Sequence, residues 1–430
     1  MSMLRFKLTD YHAIKDADIK IDGITVLAGE NGSGKSTLSR WLFYLINSMS
    51  DFEVSLFNNL IDSFNNEISR FTRISSDVSY RNTVYNLFLS LNYNNHSSFP
   101  NLSSDLLTNL EYAIEGLLSG EYNSVVISRL LQVLGLDEYK NQETLLADLK
   151  DSFNVMRSYY VSLYNDFTRR LQTHYINDLY EIISDKYYPS DDFPHNVSLI
   201  EKGVNLISEN CFIEPLSVRR SLYIDSSVPT SNSFRSNDDV IGTIARKMIM
   251  QSSKKELDEN ERRILLLLNK IIKGKITLAD ETVASKELRY RRNDGLEIPL
   301  RNAASGIQSI AYLYRMVECG YLDEDTILLI DEPETHLHPQ WVVEYANILV
   351  RLYKDLGVKI VIASHSPDMI SALETISRRH ELEDVTRFYQ AKQGPDLKYI
   401  FEDFGMNISG IFESFNVAFS KMQDYGATDL

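Results

Sequence analysis

Eight residues near the N-terminus have the types and the spacing needed to hold a triphosphate. The segment GENGSGKS, residues 29–36, matches the pattern G-x-x-x-x-G-K-[ST]. Glycines let the backbone turn successive N–H groups inward toward phosphate oxygens, and a helix N-terminus adds positive potential. Lys35 is spaced to reach the β- and γ-phosphates, and Ser36 to place its hydroxyl on Mg²⁺. The predicted nucleotide-binding residues are Gly29, Asn31, Gly32, Ser33, Gly34, Lys35, Ser36 and Thr37.

A second group of chemically capable residues follows the apolar run 326–330 (TILLI), which ends at Asp331 and Glu332. Such a run is typical of a strand buried on both faces of a parallel sheet, and ligands bind at the carboxyl ends of such strands. Asp331 is suited to hold Mg²⁺, and Glu332 to orient and deprotonate an attacking water. The alternative is an ordinary strand that ends in an acidic turn. The phosphate-loop motif favours the functional interpretation.

His365 follows a third apolar run, residues 358–363, and precedes Ser366 and Pro367. A histidine just past a core strand can contact the γ-phosphate or respond to its loss. Taken alone, it would more often be a loop residue. Its position after the strand that follows the acidic pair makes it a candidate switch residue.

The elements that must position these residues can be read from the surrounding pattern. A buried strand over 24–28 precedes the phosphate loop, and a helix over 36–48 follows it. Alternating apolar residues predict strands at 3–8 and 17–21. The turn between them carries Tyr11 and His12, which could stack on an adenine ring or be ordinary surface residues.

The middle of the chain carries no recognisable chemistry. Residues 50–185 show helical spacing, and 186–240 predict loops around short strands near 211–216 and 221–225. A helical pattern covers 240–273, strands are predicted at 275–280 and 286–300, and a helix over 340–356 ends at Gly357. The predicted division is 1–48 for one half of a head domain, 49–240 for a mainly helical insertion with a loop-rich part, and 241–430 for the other half.

Composition limits the class of protein. The 430 residues include 43% hydrophobic and 24% charged residues, which is enough to build a sizeable core. The formal net charge of −16 argues against a large DNA-coating surface, although local basic groups such as residues 289–292 keep DNA binding possible. No apolar run is long enough for a transmembrane helix, and Cys211 and Cys319 form no metal motif. We expect a cytoplasmic protein that does not enter a membrane.

Together these motifs resemble the ABC-type ATPases. The likeness is strongest to the branch with the overcoming-lysogenisation-defect (OLD), RecF-like and SMC-like proteins, including the ATPase subunits of Septu and PARIS defence systems. It is carried by residues 29–36, by DEPETHLHP at 331–339 and by ASHSP at 363–367. The resemblance implies an α/β fold, with a mixed or parallel sheet, flanking helices and a large helical insertion.

The resemblance also implies further site residues. The stretch after Glu332 corresponds to the D-loop, with Glu334, His336 and His338 at a dimer interface. Residues 304–308 (ASGIQ) correspond to the signature loop, so Ser305, Gly306 and Gln308 would contact ATP held by a second subunit. The family's Q-loop glutamine has no identifiable counterpart among Gln132, Gln142 and Gln172. The implied cofactors are ATP and Mg²⁺.

The function implied by the resemblance is ATP hydrolysis by a homodimer or higher homo-oligomer that sandwiches two ATP molecules. We expect a nucleotide-gated switch in antiphage defence. The stretch after His365 is too short for the TOPRIM domain of OLD nucleases, so a nuclease or toxin effector is expected on a separate chain. The alternatives are a RecF-like DNA-repair ATPase, the ATP-binding subunit of a transporter, and a scaffold that binds ATP without hydrolysing it.

Overall fold

Buried strands with continuous apolar sequence form the centre of the molecule, which we describe from a computed structural model. The structure describes residues 4–74, 158–159, 161–187, 193–225, 240–251, 253, 256–282, 285–335 and 337–412. By contacts these fall into two units: residues 1–52 with 174–430, and residues 53–173. The described part of the second unit is helical.

Thirteen strands are present in the described residues. They are β1 (Leu4–Tyr11), β2 (Ile14–Ile21), β3 (Ile24–Ala28), β4 (Val197–Glu201), β5 (Val204–Asn205), β6 (Arg220–Asp225), β7 (Gly274–Thr282), β8 (Ser285–Arg292), β9 (Glu297–Pro299), β10 (Thr326–Asp331), β11 (Lys359–Ser364), β12 (Thr386–Gln393) and β13 (Tyr399–Gly405). Ten of them form one sheet in the order β5-β4-β1-β2-β13-β12-β3-β11-β10-β6. Strands β7, β8 and β9 form a separate antiparallel sheet.

The helices of the first unit flank the large sheet. They are α1 (Lys35–Ser50), α3 (Ile176–Tyr187), α4 (Val240–Ile249), α5 (Glu259–Ile272), α6 (Ser305–Glu318), α7 (Pro339–Leu356) and α8 (Pro367–Arg379). Helix α2 (Phe52–Ile74) belongs, apart from Phe52, to the second unit. Helix α1 packs against β6, β10 and β11. On the other face, residues such as Val26, Leu328 and Ile362 join the core formed with α5 to α8.

The parallel part of the sheet brings three strand ends to one edge. Strands β12, β3, β11, β10 and β6 are all parallel. Ala28 at the end of β3 pairs with Ser364, and Asp331 at the end of β10 pairs with Ala363. The phosphate loop, the acidic pair and His365 therefore leave the sheet at the same level. The predicted α/β fold with a mixed sheet and flanking helices is confirmed.

Several predicted elements differ in the structure. The strand predicted at 211–216 is wrong, because Cys211 and Phe212 form only isolated bridges, to Tyr175 and Ile207. The helical pattern over 240–273 is two helices, α4 and α5, separated by a break. Strands β4, β5 and β6 belong to the large sheet, so the head draws on residues that the predicted boundary at 240 assigned to the middle of the chain.

None of the described helices has the length and apolarity required to span a bilayer.

Candidate active site

The phosphate loop joins β3 to α1 and closes around the side chain of Lys35. Its Nζ donates hydrogen bonds to the carbonyl oxygens of Gly29 and Glu30, both at 2.8 Å, and lies 3.5 Å from Ser33 Oγ. Gly34 precedes α1 with a φ of 94°, and Gly32 has a φ of 80°. Lys35 is only 5% exposed. An ammonium group is thus held inside a ring of backbone, at the N-terminus of a helix.

The two positive-φ glycines of this loop differ in the space around them. A Cβ on Gly34 would lie 2.6 Å from Ile14 Cγ1, whereas a Cβ on Gly32 would meet no described heavy atom within 4 Å. We expect Gly32→Ala to cost about 1 kcal/mol of stability, from backbone strain alone. Gly34→Ala adds a clash with a fully buried side chain of β2, so it should lower the melting temperature further and abolish nucleotide binding.

Thermal unfolding and titration with a fluorescent ATP analogue measure both effects. Since the two variants make the same chemical change in one loop, each is the control for the other. Equal losses of affinity in Gly32→Ala and Gly34→Ala would show that packing against Ile14 does not shape the loop.

The acidic pair takes two different environments. The carboxylate of Asp331 is buried at the end of β10, and the hydroxyl of Tyr223 donates to its Oδ2 at 2.7 Å. Glu332 leaves the strand with a φ of 49°, in the left-handed region, while its N–H donates to Ala363 O at 2.8 Å. A non-glycine residue rarely adopts this conformation, and such strain collects at functional sites. It turns the Glu332 side chain out of the sheet, to an exposed fraction of 30%.

Electrostatics link the phosphate loop to the acidic pair. Burial lowers the pKa of the Lys35 ammonium below its usual value. The largest opposing effect on that pKa comes from the carboxylate of Glu332, followed by that of Asp331. The structure therefore brings Lys35 and Glu332, which are far apart in sequence, within electrostatic reach of each other.

His365 lies between two carboxylates. Its Nδ1 is 3.4 Å from Glu332 Oε1 and 3.7 Å from Glu334 Oε1. Glu334 Oε1 also accepts hydrogen bonds from Ser364 Oγ at 2.8 Å and from the His365 N–H at 3.2 Å. Glu334 thus fixes the start of the His365 loop within its own chain.

The remaining predicted site residues have varied surroundings. Ser36 is exposed in the first turn of α1, next to a half-buried Thr37, and Asn31 is exposed in the loop. His338 caps α7, because its Nδ1 accepts from the Gln340 N–H at 3.4 Å. His336 lies outside the described residues.

The predicted signature loop begins α6. Ser305 is its first residue and is half-buried, and Gly306 is buried behind it. Gln308 turns inward, where its Nε2 donates to Ala303 O at 2.7 Å and to Arg301 O at 3.3 Å. Gln308 therefore braces the loop itself, while Ser305 and the helix N-terminus present the accessible donors.

The two aromatic residues considered for adenine stacking, at the turn between β1 and β2, have different surroundings. Tyr11 is 9% exposed and packs edge-on against Trp41 of α1, with ring centroids 5.9 Å apart. His12 is exposed, at 4.2 Å from the Tyr11 ring. Packing explains Tyr11, and stacking of His12 on an adenine ring stays a prediction.

The donor set fits Mg²⁺ bound together with a nucleotide. No group of three or more His, Cys, Asp or Glu side chains within the described ranges could hold a metal by itself. Mg²⁺ in nucleotide sites takes one or two protein oxygens and completes its octahedron with phosphates and waters. The Ser36 hydroxyl and the Asp331 carboxylate supply oxygen donors of that kind.

Comparison with known proteins also indicates an ATPase domain. A family model described as AAA ATPase domain matches residues 1–370. Endonuclease GajA from Bacillus cereus (strain HuB5-5) is 22% identical over 390 residues, 81% of this chain and 52% of that protein. The energy-coupling factor transporter ATP-binding protein EcfA2 from Clostridium perfringens (strain SM101 / Type A) is 35% identical over 89 residues, 20% of this chain and 31% of that protein. The chain thus spans about half, or less, of the length of these curated relatives.

Two solved structures share only low similarity with it. The first is the Smc head domain with an extended coiled coil, bound to the C-terminal domain of ScpA, derived from Pyrococcus furiosus. The match covers 97% of this chain and 100% of that one, with a TM-score of 0.37 and 10% identity. The ADP conformation of MJ1267, an ATP-binding cassette of an ABC transporter, has a TM-score of 0.33 and 9% identity, with 91% of this chain and 87% of that one covered.

Proposed function

The chain belongs to the AAA ATPase domain family, and from that premise we propose that it binds ATP with Mg²⁺ and hydrolyses the γ-phosphate bond. The observation that carries this proposal is that the strands leading to the phosphate loop and to the acidic pair end at the same edge of the parallel sheet. The carboxylate of Glu332 there opposes the lowering of the Lys35 pKa by burial. Lys35 supplies a cation for the triphosphate, and Glu332 supplies a base for the attacking water.

Each residue has a distinct role in the proposed reaction. The backbone amides of residues 29–36 and the ammonium of Lys35 hold the phosphates. Ser36 and Asp331 would hold Mg²⁺, which when bound neutralises charge on the phosphate oxygens. Glu332 accepts a proton from the attacking water, while Thr335 Oγ1, 3.3 Å from Glu332 Oε2, and His365 orient its carboxylate.

We further propose that two copies of the chain close on two ATP molecules. Ser305 and the N–H groups that start α6 would contact the γ-phosphate held by the partner copy. Within the described part of the chain, no side chain caps this helix N-terminus, which favours a role in anion binding. Contacts made only while the γ-phosphate is present give the two nucleotide states different dimer affinities. Hydrolysis then reopens the dimer.

Mixing two inactive variants tests this arrangement. Lys35→Ala leaves the phosphate loop without its cation, and Ser305→Arg blocks the contact in trans. In a two-fold dimer, each site uses Lys35 of one copy and Ser305 of the other. A mixed dimer therefore has one intact site, and an equimolar mixture should recover about a quarter of the wild-type rate because about half of the dimers are mixed.

The measurement is release of inorganic phosphate from Mg·ATP, by wild type, by each variant alone and by the mixture. Activity of the mixture equal to the mean of the separate variants would contradict the shared site. Absence of any ATP hydrolysis by the wild-type protein would contradict the proposed function itself.

The biological output we propose is control of an effector in antiphage defence. It is supported by the family resemblance of the motifs and by the similarity to a protein named an endonuclease, of which this chain matches about half. The ATP-closed dimer would restrain or activate a nuclease or toxin. That the effector is a separate chain, that DNA is bound, and that the protein is cytoplasmic stay predictions.

A further inference from the structure

Strand β6 connects the two halves of the nucleotide site, although neither motif includes it. It is the last strand at one end of the large sheet, next to β10. The side chain of Asn47 on α1 pairs with its backbone: Asn47 Nδ2 donates to Ser221 O at 3.0 Å, and the Ser221 N–H donates to Asn47 Oδ1 at 2.9 Å. Ser221 Oγ also donates to Phe43 O at 3.1 Å. Three hydrogen bonds thus fix β6 to the helix that starts at Lys35.

Two residues further along, Tyr223 makes the connection to the other half. Side chains on a strand alternate between faces, so Tyr223 projects toward α1 as Ser221 does. Its ring lies 6.0 Å from that of Phe43, and its hydroxyl donates to Asp331 Oδ2 at 2.7 Å. Tyr223 and Asp331 are 4% and 3% exposed. This is a short, buried hydrogen bond to a carboxylate, the strong class of hydrogen bond in proteins.

The choice of acceptor separates Tyr223 from an ordinary core tyrosine. Tyr290, which is 3% exposed, also donates a buried hydrogen bond, but to a backbone carbonyl, Ile272 O, at 2.6 Å. That bond satisfies the two groups that make it. The Tyr223 hydroxyl instead donates to a carboxylate whose terminal torsion it restrains, and that carboxylate is the Asp331 side chain at the end of β10.

We propose that Tyr223 is a positioning residue for the magnesium site: it fixes the Asp331 carboxylate in the orientation that holds Mg²⁺ with the nucleotide. The inference rests on the proposed function, since it needs Asp331 to be a metal-binding group. Hydrogen-bond partners of metal-ligating side chains set the orientation of the ligand, and their loss weakens metal binding. Because β6 is also fixed to α1, the same strand sets Asp331 relative to the phosphate loop.

The test compares Tyr223→Phe with Tyr290→Phe. Both changes remove one buried phenol hydroxyl, and only the first removes a bond to Asp331. Binding of a fluorescent ATP analogue is measured in EDTA and across a Mg²⁺ titration. Binding of Mn²⁺ in the presence of a non-hydrolysable ATP analogue is followed by electron paramagnetic resonance. In Tyr223→Phe the concentrations of Mg²⁺ and Mn²⁺ at half-saturation should rise about tenfold, while affinity in EDTA changes less than about twofold. Tyr290→Phe should match the wild type in all of these.

The outcomes separate the inference from the proposed function. Unchanged metal requirements in Tyr223→Phe would overturn the inference, and so would an equal loss of nucleotide affinity with and without metal, which would show that the hydroxyl supports the whole site. If Mg²⁺ does not strengthen nucleotide binding even in the wild type, the proposed function fails first. Thermal unfolding of both variants checks that each is folded under assay conditions.

Discussion

Replacing Glu332 with glutamine is expected to slow ATP hydrolysis about a hundredfold or more, while ATP still binds. The amide has the shape of the carboxylate and can keep the contact with Thr335, but it cannot accept a proton from water. The backbone at residue 332, with its φ of 49°, needs no change for this substitution. Binding groups on the phosphate loop are untouched, so the variant should stop at the ATP-bound stage.

Two properties of the variant are measured, the rate of ATP hydrolysis and the oligomeric state. Phosphate release gives the rate, and size-exclusion chromatography with light scattering, with and without Mg·ATP, gives the oligomeric state. The ATP-bound dimer should accumulate in Glu332→Gln, and an effector that recognises this state should be retained by it in a pull-down. Glu402→Gln makes the same change of charge at an exposed ion pair with Lys392, 2.6 Å long, and serves as the control. Turnover that continues at the wild-type rate in Glu332→Gln would remove Glu332 from the role of base.

Replacing Lys35 with alanine is expected to have the second large effect, a loss of nucleotide binding itself. Lys35 as a residue is 5% exposed, and its ammonium is bonded to carbonyl oxygens of the loop, so it is already positioned where phosphates would replace those contacts. Two charge-assisted contacts to phosphate oxygens at about 1.5 kcal/mol each amount to about 3 kcal/mol, or about a hundredfold in affinity. At concentrations of ATP or ADP that just saturate the wild type, only a small fraction of Lys35→Ala should be bound.

Isothermal titration calorimetry with ATP and ADP provides the affinities. Lys354→Ala is the matched control, because Lys354 is an exposed lysine whose Nζ lies 3.1 Å from His380 Nδ1, and its loss changes the net charge equally. A similar, small loss of nucleotide affinity in both variants would mean that overall charge attracts the nucleotide and that Lys35 makes no specific contact with it.

Local sequence was sufficient for the elements that carry the motifs. Strand β3 and helix α7 are continuous, strongly patterned segments with clear ends, as Gly357 with its φ of 76° shows at the end of α7. The hairpin of β8 and β9 also turns at a local signal, the NDG sequence of residues 293–295, where Gly295 has a φ of 95°. In each case the physical signal lies within a few residues of the element that it specifies.

Features that depend on partners far away in the sequence cannot be predicted from local patterns. Strand β4 (VSLIE) is short and is stabilised by pairing with β1, almost two hundred residues earlier. Nothing near Tyr223 shows that its hydroxyl will reach Asp331, because that contact exists only once β6 lies beside β10. The inward turn of Gln308 follows from the fold of the preceding turn, residues 300–302, and a motif pattern does not encode it.

The position of β3 between β11 and β12 affects how the protein can fold during its synthesis on the ribosome. At a translation rate of about 5–20 residues per second, the strand that carries the phosphate loop emerges on the order of 20 to 70 s before either neighbour exists. Until then its backbone has no partner strand, and the loop has no acidic strand end to face. A nascent chain can therefore acquire its affinity for nucleotide only after residues 359–393 have been made, so that ATP binding reports that both neighbours of β3 are in place.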